Sequence, residues 1–237
     1  YVKKNPVNNL FSFSLIYHKG TLSDPKLSAL ESYLSDIGTD SLTKHEFGQA
    51  MQQIGTTFET SAEKNSFSIT LSGIDSNLGA SLQLLRHFMD HPKADKKSMK
   101  SLASTYQVND RSFIKDAGNI ADAITEKVAF GEKSSYINHL STSDIKKMNG
   151  EELIALFKEL QKNECSIVYS GQLSASDVEN AVNDYMPIGQ ASLPASIVYR
   201  PMRTIEKPTV YIFDMPTARQ ERDEAYQTVR AGATGGE

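Results

Sequence analysis

Residues 10–39 read LFSFSLIYHKGTLSDPKLSALESYLSDIGT, and the fold is decided there. Apolar residues alternate with polar ones through Leu10–Tyr17, the period of a strand with one covered face. After His18-Lys19-Gly20 the period lengthens. Leu27, Leu30, Leu34 and Ile37 recur every three or four residues, which predicts an amphipathic helix over Pro25–Ile37, closed by Gly38-Thr39, with that stripe buried.

Further along, Thr43 and Glu46 form a capping box ahead of Phe47, Ala50, Met51 and Ile54, and Gly55 supplies the helix stop. Two strands are then expected, Thr56–Glu63 and Ser66–Gly73, joined by Lys64-Asn65. In the second, Phe67, Ile69 and Leu71 alternate with Ser66, Ser68, Thr70 and Ser72, as in an antiparallel sheet covered on one side. From Asn77 the period is helical again, through Leu78, Leu82, Leu85 and Met89, until His91-Pro92. Asp95 to Phe130 reads as mostly helical, with Ile114, Ala117, Ile120, Ile124 and Val128 as its best-defined face. Asn149 and Glu152 cap a helix bearing Leu153, Leu156, Phe157 and Leu160; a strand, Cys165–Gly171, follows; Ser174 and Asp177 start a helix with Val178, Ala181, Val182 and Tyr185.

This order predicts an α+β domain over 1–185, a mostly antiparallel sheet covered by helices on one face. Pro187, Pro194, Pro201 and Pro208 mark 186–208 as a linker. The apolar run TVYIFDM (Thr209–Met215) opens 209–237, expected to begin a second homologous domain or to be a disordered tail; its charged, then Gly/Ala-rich continuation has no reading. Tyr1-Val2-Lys3-Lys4 reads as the end of a strand, so the chain is expected to be a piece of a longer protein.

The unit from Leu10 to Gly55 resembles the active-site unit of the pitrilysin/insulinase zinc metallopeptidases, whose relatives include the mitochondrial processing peptidases. YVKKNPVNN, GTDSLTKHEF, HFMDHPKAD and ECSIVYSGQLSASDVENAV carry the local likeness, and the resemblance runs over about residues 1–216 in element order. It implies the sandwich shared by LuxS and the processing peptidases. In that family the first helix carries H-x-x-E-H, two histidines for zinc and a glutamate to activate water. Counted back from Gly38-Thr39, those places hold Ala29, Ser32 and Tyr33. None is a usual zinc ligand or general base, so neither a catalytic residue nor a metal ligand is assigned. Glu31 is one place off the motif. The family's third ligand would fall near Gln107–Arg111, where Asn109 and Asp110 do not match, and Tyr226 and Arg230 have the wrong order and spacing for its carbonyl-assisting pair.

What the resemblance implies is therefore a non-catalytic domain that helps enclose and position an unfolded peptide beside a zinc-bearing catalytic domain or subunit elsewhere. The alternative is a structural or binding protein on the same fold. Active relatives receive substrate as an added strand, and the matching run is Thr57-Phe58-Glu59-Thr60; the competing reading is an ordinary sheet edge guarded by Glu59 and Glu63. No cofactor is expected here, zinc being expected in the catalytic partner. Relatives of this type suggest a bacterial periplasm or cell envelope.

Other readings are narrower. His87-Phe88-Met89-Asp90-His91 superficially reads H-x-x-D-H, but the stripe 78/82/85/89 turns both histidines away from the core, so exposed histidines are expected. His45, His18 and His139 read as a helical, a turn and a loop residue. Cys165, the sole cysteine, excludes an internal disulfide and reads as a buried strand thiol. With 237 residues, 39% of them hydrophobic, the chain can bury a sizeable core, and a formal charge of -4 gives no reason to expect nucleic acid. No apolar run reaches the roughly 18 residues of a spanning helix.

Overall fold

Five strands and eight α-helices are arranged as an α+β sandwich in the computed structural model, which describes residues 1–5, 7–204, 207 and 209–211. In chain order these are β1 (Val2–Lys4), β2 (Leu10–Tyr17), α1 (Lys26–Leu34), α2 (Lys44–Gln53), β3 (Thr57–Ala62), β4 (Phe67–Ile74), α3 (Leu78–Asp90), α4 (Lys96–Phe113), α5 (Ala117–Phe130), α6 (Thr142–Lys147), α7 (Gly150–Leu160), β5 (Cys165–Gly171) and α8 (Ala175–Tyr185). The residues divide into two compact units: Tyr1–Val108 with His139–Tyr199, and Asn109–Asn138 with the described residues from Arg200 onward.

The first unit contains the sheet, in the order β1-β5-β2-β4-β3. Every pairing is antiparallel except β1 on β5, so the sheet is mostly antiparallel as expected. Register explains the one-sided core. Phe13 lies opposite Leu71 on one side and Tyr169 on the other, and Leu15 opposite Ile69, so the large side chains share a face. Phe11, Phe13, Leu15 and Tyr17 are buried there with Leu27, Leu30, Leu85 and Phe157 from the helices. The opposite face carries small hydroxyl side chains, among them Ser12, Ser14, Thr70 and Ser72, and Ser14 and Thr70 hydrogen-bond across the strands at 2.9 Å.

Helix starts follow the caps in the sequence. Thr43, Asn149 and Ser174 each accept from the backbone amide three residues on. Gly55 takes φ +62° after α2, where a Cβ would strain the turn. At the far end of β5, Tyr169 Oη donates to the buried Asp75 carboxylate, which also accepts from Gln172 N at 3.2 Å. Burial and this carboxylate push the Tyr169 phenol up to about 12.

Three readings change. The helical stretch from Asp95 is two helices, broken after Phe113, and Ile114 of its expected face is 60% exposed. None of the α5 residues is fully buried. An additional helix, α6, starts at a Ser141/Asp144 capping box that the apolar pattern alone does not reveal.

Residues 186–204 form no helix or strand beyond isolated bridges, yet they are hydrogen-bonded within each unit. In the first, Leu193 N donates to Lys162 O at 2.9 Å, Ser196 N to His18 O at 2.6 Å and Val198 N to Asn65 Oδ1 at 2.8 Å. In the second, the Arg200 guanidinium donates to Glu126 Oε1 at 2.7 Å and lies 4.4 Å from the Phe130 ring centroid, with both charged side chains nearly enclosed. Thr209, Val210 and Tyr211 carry no regular structure, and the rest of the expected Thr209–Met215 strand lies outside the described residues.

Candidate functional site: the first helix and the sheet edge

α1 begins after Asp24 and Pro25, with Asp24 Oδ1 accepting from Lys26 N at 3.0 Å. Its apolar stripe is wider than the aliphatic residues indicate. Leu27, Leu30, Leu34 and Ile37 are buried as expected, and so are Ala29 and Tyr33, both 0% exposed. The two places where the resembling family has histidines therefore lie inside the core, whereas Ser32 is exposed.

Tyr33 fills its place completely. Its phenol oxygen accepts from Asp95 N at 2.9 Å, and an added Cβ on Gly150, the first residue of α7, would come within 2.1 Å of that oxygen. Glycine at 150 is thus what lets the ring in. Burial holds the phenol pKa above its ordinary value, so at neutral pH it is a neutral hydrogen-bonding group. With Ala29, exposed Ser32 and a buried, protonated Tyr33, the helix does not fit zinc, and no hydrolytic step can be built on it.

Beside α1, β3 closes one edge of the sheet. Glu63 N donates to Ser66 O across the hairpin, which fixes the phase of the ladder: Thr57, Glu59 and Ser61 bond inward to β4, while the main-chain groups of Phe58, Thr60 and Ala62 point away from it. The four residues Thr57–Thr60 have separate fates. Thr57 Oγ1 turns back to Ser72 O at 3.3 Å. Phe58 packs its ring between Phe47 and Phe88, with centroids 5.8 and 5.2 Å away. Glu59 is exposed. Thr60 Oγ1 donates to Glu31 O at 3.0 Å and lies 3.2 Å from Ser35 Oγ, which ties the edge to α1. At this edge, then, main-chain groups rather than side chains are what an extended segment would meet.

Glu31 is the residue that the motif count passes over. It is half-buried where α1 meets β3, with the Ala62 amide near enough to favour its charged form. Burial, and then the charge of Glu63, raise its pKa, partly offset by that amide.

The other chemistry-bearing residues are held in structural contacts. His87 and His91 project toward Asp40 in the loop before α2: His91 Nδ1 is 3.4 Å and His87 Nε2 3.8 Å from its carboxylate, and His87 Nε2 also meets Ser41 Oγ at 2.8 Å. Asp90, the acid of the H-x-x-D-H reading, is paired instead with Arg86 Nε at 2.6 Å. His18 Nε2 meets Ser166 Oγ at 2.8 Å; His45 and His139 are exposed. Cys165 is half-buried, and burial followed by the Glu164 charge raises its pKa, opposite to what a nucleophilic thiolate requires. Among the described residues no group of three or more His, Cys, Asp or Glu side chains is arranged to hold a metal ion, and no helix is long and apolar enough to cross a membrane.

No protein-family model matches the sequence, and no curated protein matches it. Solved structures do match in fold. A peptidase M16 inactive domain from Pseudomonas fluorescens superposes with a TM-score of 0.69 at 19% identity, over 84% of this chain and 50% of that one. The periplasmic protease PqqL from Escherichia coli gives 0.71 at 13% identity, over 88% and 24%. The ferredoxin protease FusC in complex with Arabidopsis ferredoxin gives 0.68 at 15%, over 85% and 23%. The chain thus spans half or less of these three solved chains, and at these identities it shares their fold.

Proposed function

We propose that this chain is a non-catalytic domain of a pitrilysin-type zinc metallopeptidase, which offers the β3 edge to an extended, unfolded peptide and leaves bond cleavage to a zinc-bearing domain or partner subunit. The observation that carries this reading is the Tyr33 seat: a ring held by Asp95 and admitted by Gly150 occupies one of the motif places of a fold shared with a peptidase M16 inactive domain. Among the described residues no strand pairs with the outer side of β3, and the edge at Thr57–Thr60 supports the peptide role, because an added strand is held by main-chain bonds and needs no particular side chain from the receiving strand. FusC is named in complex with a protein, ferredoxin, and PqqL as a periplasmic protease; by extension the partner is a catalytic domain of the same fold and the compartment a bacterial cell envelope.

The purified chain is expected to hold no stoichiometric zinc and to cleave no unfolded polypeptide with or without added zinc, and to bind such a polypeptide with amide NMR shifts concentrated at residues 57–62. Chelator-sensitive cleavage by the chain alone would overturn the non-catalytic reading. Binding that leaves 57–62 unshifted would overturn the edge reading.

A further inference from the structure

On the hydroxyl-bearing face of the sheet, the register lines side chains up in rows that cross the strands. One row runs Lys3, Ser170, Ser12, Ser72 and Thr57, and the next runs Val168, Ser14, Thr70 and Glu59. Of the strand residues on this face only Lys3 and Glu59 are charged, and they stand on opposite edges, β1 and β3. Glu59 is exposed, and among the described residues no lysine, arginine or histidine pairs with it. Its neighbours within the sheet cannot supply a cation. Thr70, directly opposite, is hydrogen-bonded to Ser14 Oγ at 2.9 Å, and the diagonal neighbours on β4 are Ser68 and Ser72. The position beside Glu59 that is left for a counter-charge is therefore on the open side of β3.

The phase of the ladder makes that position a close one. Glu59 bonds inward to β4, so with an antiparallel newcomer it forms a non-hydrogen-bonded pair, in which Cα atoms approach to about 4.5 Å and side chains lie nearer than in the hydrogen-bonded pairs that Phe58 and Thr60 would make. We infer that Glu59 is a specificity-determining residue of the peptide-receiving edge, whose occupant is an extended polypeptide with a lysine or arginine opposite it. This rests on the reading that β3 receives peptide and adds the class of peptide received. Opposite charges facing each other across strands attract and like charges repel, so main-chain bonds hold any extended segment while Glu59 sorts segments by charge. The competing role is a charge that keeps other strands off the edge, and it predicts that removing the charge helps every peptide alike.

The test uses the full chain and three fluorescein-labelled peptides of alternating valine and threonine, identical except for a lysine, glutamine or glutamate in the central threonine place. An alternately N-methylated form of the lysine peptide is the control. The native chain is expected to bind the three in the order lysine, glutamine, glutamate, with about fivefold between the extremes at low salt and a spread that narrows as salt is added. Glu59→Gln is expected to bring the three affinities together, and Glu59→Lys to reverse their order. Both substitutions fall on an exposed side chain, so the urea midpoint is expected to stay close to native. Equal affinities for the native chain, or an order that survives in Glu59→Gln, overturn the specificity role, and an equal gain for all three peptides in Glu59→Gln assigns the residue to edge protection instead. Binding of none of the peptides, or equal binding of the N-methylated form, sinks the edge reading and with it the inference that rests on it.

Discussion

In α1, five of nine residues are buried, whereas in α5 none of fourteen is, although both helices carry regular apolar spacing. The spacing of Ile120, Ile124 and Val128 is as good a helical signal as that of Leu27, Leu30 and Leu34. What differs is the surface opposite. The α1 stripe is buried in one apolar cluster with Leu15, Ile69 and the other large side chains of the sheet, while the α5 stripe stays partly exposed among the described residues. Periodicity therefore states that a helix has an apolar face, and only the tertiary partner states whether that face is closed. For function the distinction matters. The places where zinc ligands would stand are in the closed helix, so their filling by Ala29 and Tyr33 is built into the stability of the domain.

The largest expected effect tests that closure. Tyr33→Ala removes a ring that is 0% exposed and frees the Asp95 amide, and is expected to cost about 3–5 kcal/mol in urea denaturation. A loss below about 1 kcal/mol would show that the ring is dispensable and the place effectively open. The comparison sharpens with a matched pair of aliphatic truncations. Leu30→Ala, from a residue with 0% exposure, is expected to cost about 2–5 kcal/mol, and Ile124→Ala, from the partly exposed α5 stripe, well under about 2 kcal/mol. Equal losses would mean that α5 is as firmly packed as α1. Gly150→Ala comes next: its methyl group would fall 2.1 Å from the Tyr33 oxygen, and overpacking of this kind costs about 1–3 kcal/mol. The double change with Tyr33→Phe is expected to recover part of that loss, because the oxygen that clashes is gone.

Much of this architecture was legible in the residues. Leu10–Tyr17 and Cys165–Gly171 appear as strands with the expected bounds, because a period of two bounded by turn residues has few other solutions. The caps at Thr43, Asn149 and Ser174 were legible because each needs only a side-chain oxygen and an amide three residues away. Contacts between distant segments were not. Asp40 lies between His87 and His91 because a loop and a helix end meet in space, and no local spacing encodes that meeting. The parallel pairing of β1 with β5 joins residues far apart in the chain. At the site itself the identities of Ala29, Ser32 and Tyr33 are plain in the sequence, but the burial of Tyr33 is not, because the aliphatic residues alone define a narrower stripe. Gly150 was the available signal, a glycine at a helix start with no turn to explain it. Glu31, one place off the motif, is half-buried, because Thr60 and Ser35 draw that part of α1 against the strand edge.

The smallest effect concerns the Glu31 carboxylate and its contribution to stability. Burial, with the Glu63 charge, raises the folded-state pKa of Glu31 above the ordinary 4.5, partly offset by the nearby Ala62 amide, so the ionised form is disfavoured in the fold. A raised carboxyl pKa means that the unfolded chain ionises first. The resulting cost is absent below the unfolded value, grows as pH rises through it, and is complete above the folded value. Glu31→Gln removes this cost. The variant is expected to be slightly more stable than the native chain at neutral pH, with the advantage declining toward zero as the pH is lowered through the carboxylate range, measured as the difference in urea midpoints. A variant less stable than the native chain at neutral pH would show that favourable contacts of the carboxylate outweigh the burial of the charge. Glu31 would then serve as a structural clasp, and α1, closed along its apolar stripe, would be held at its polar margin too.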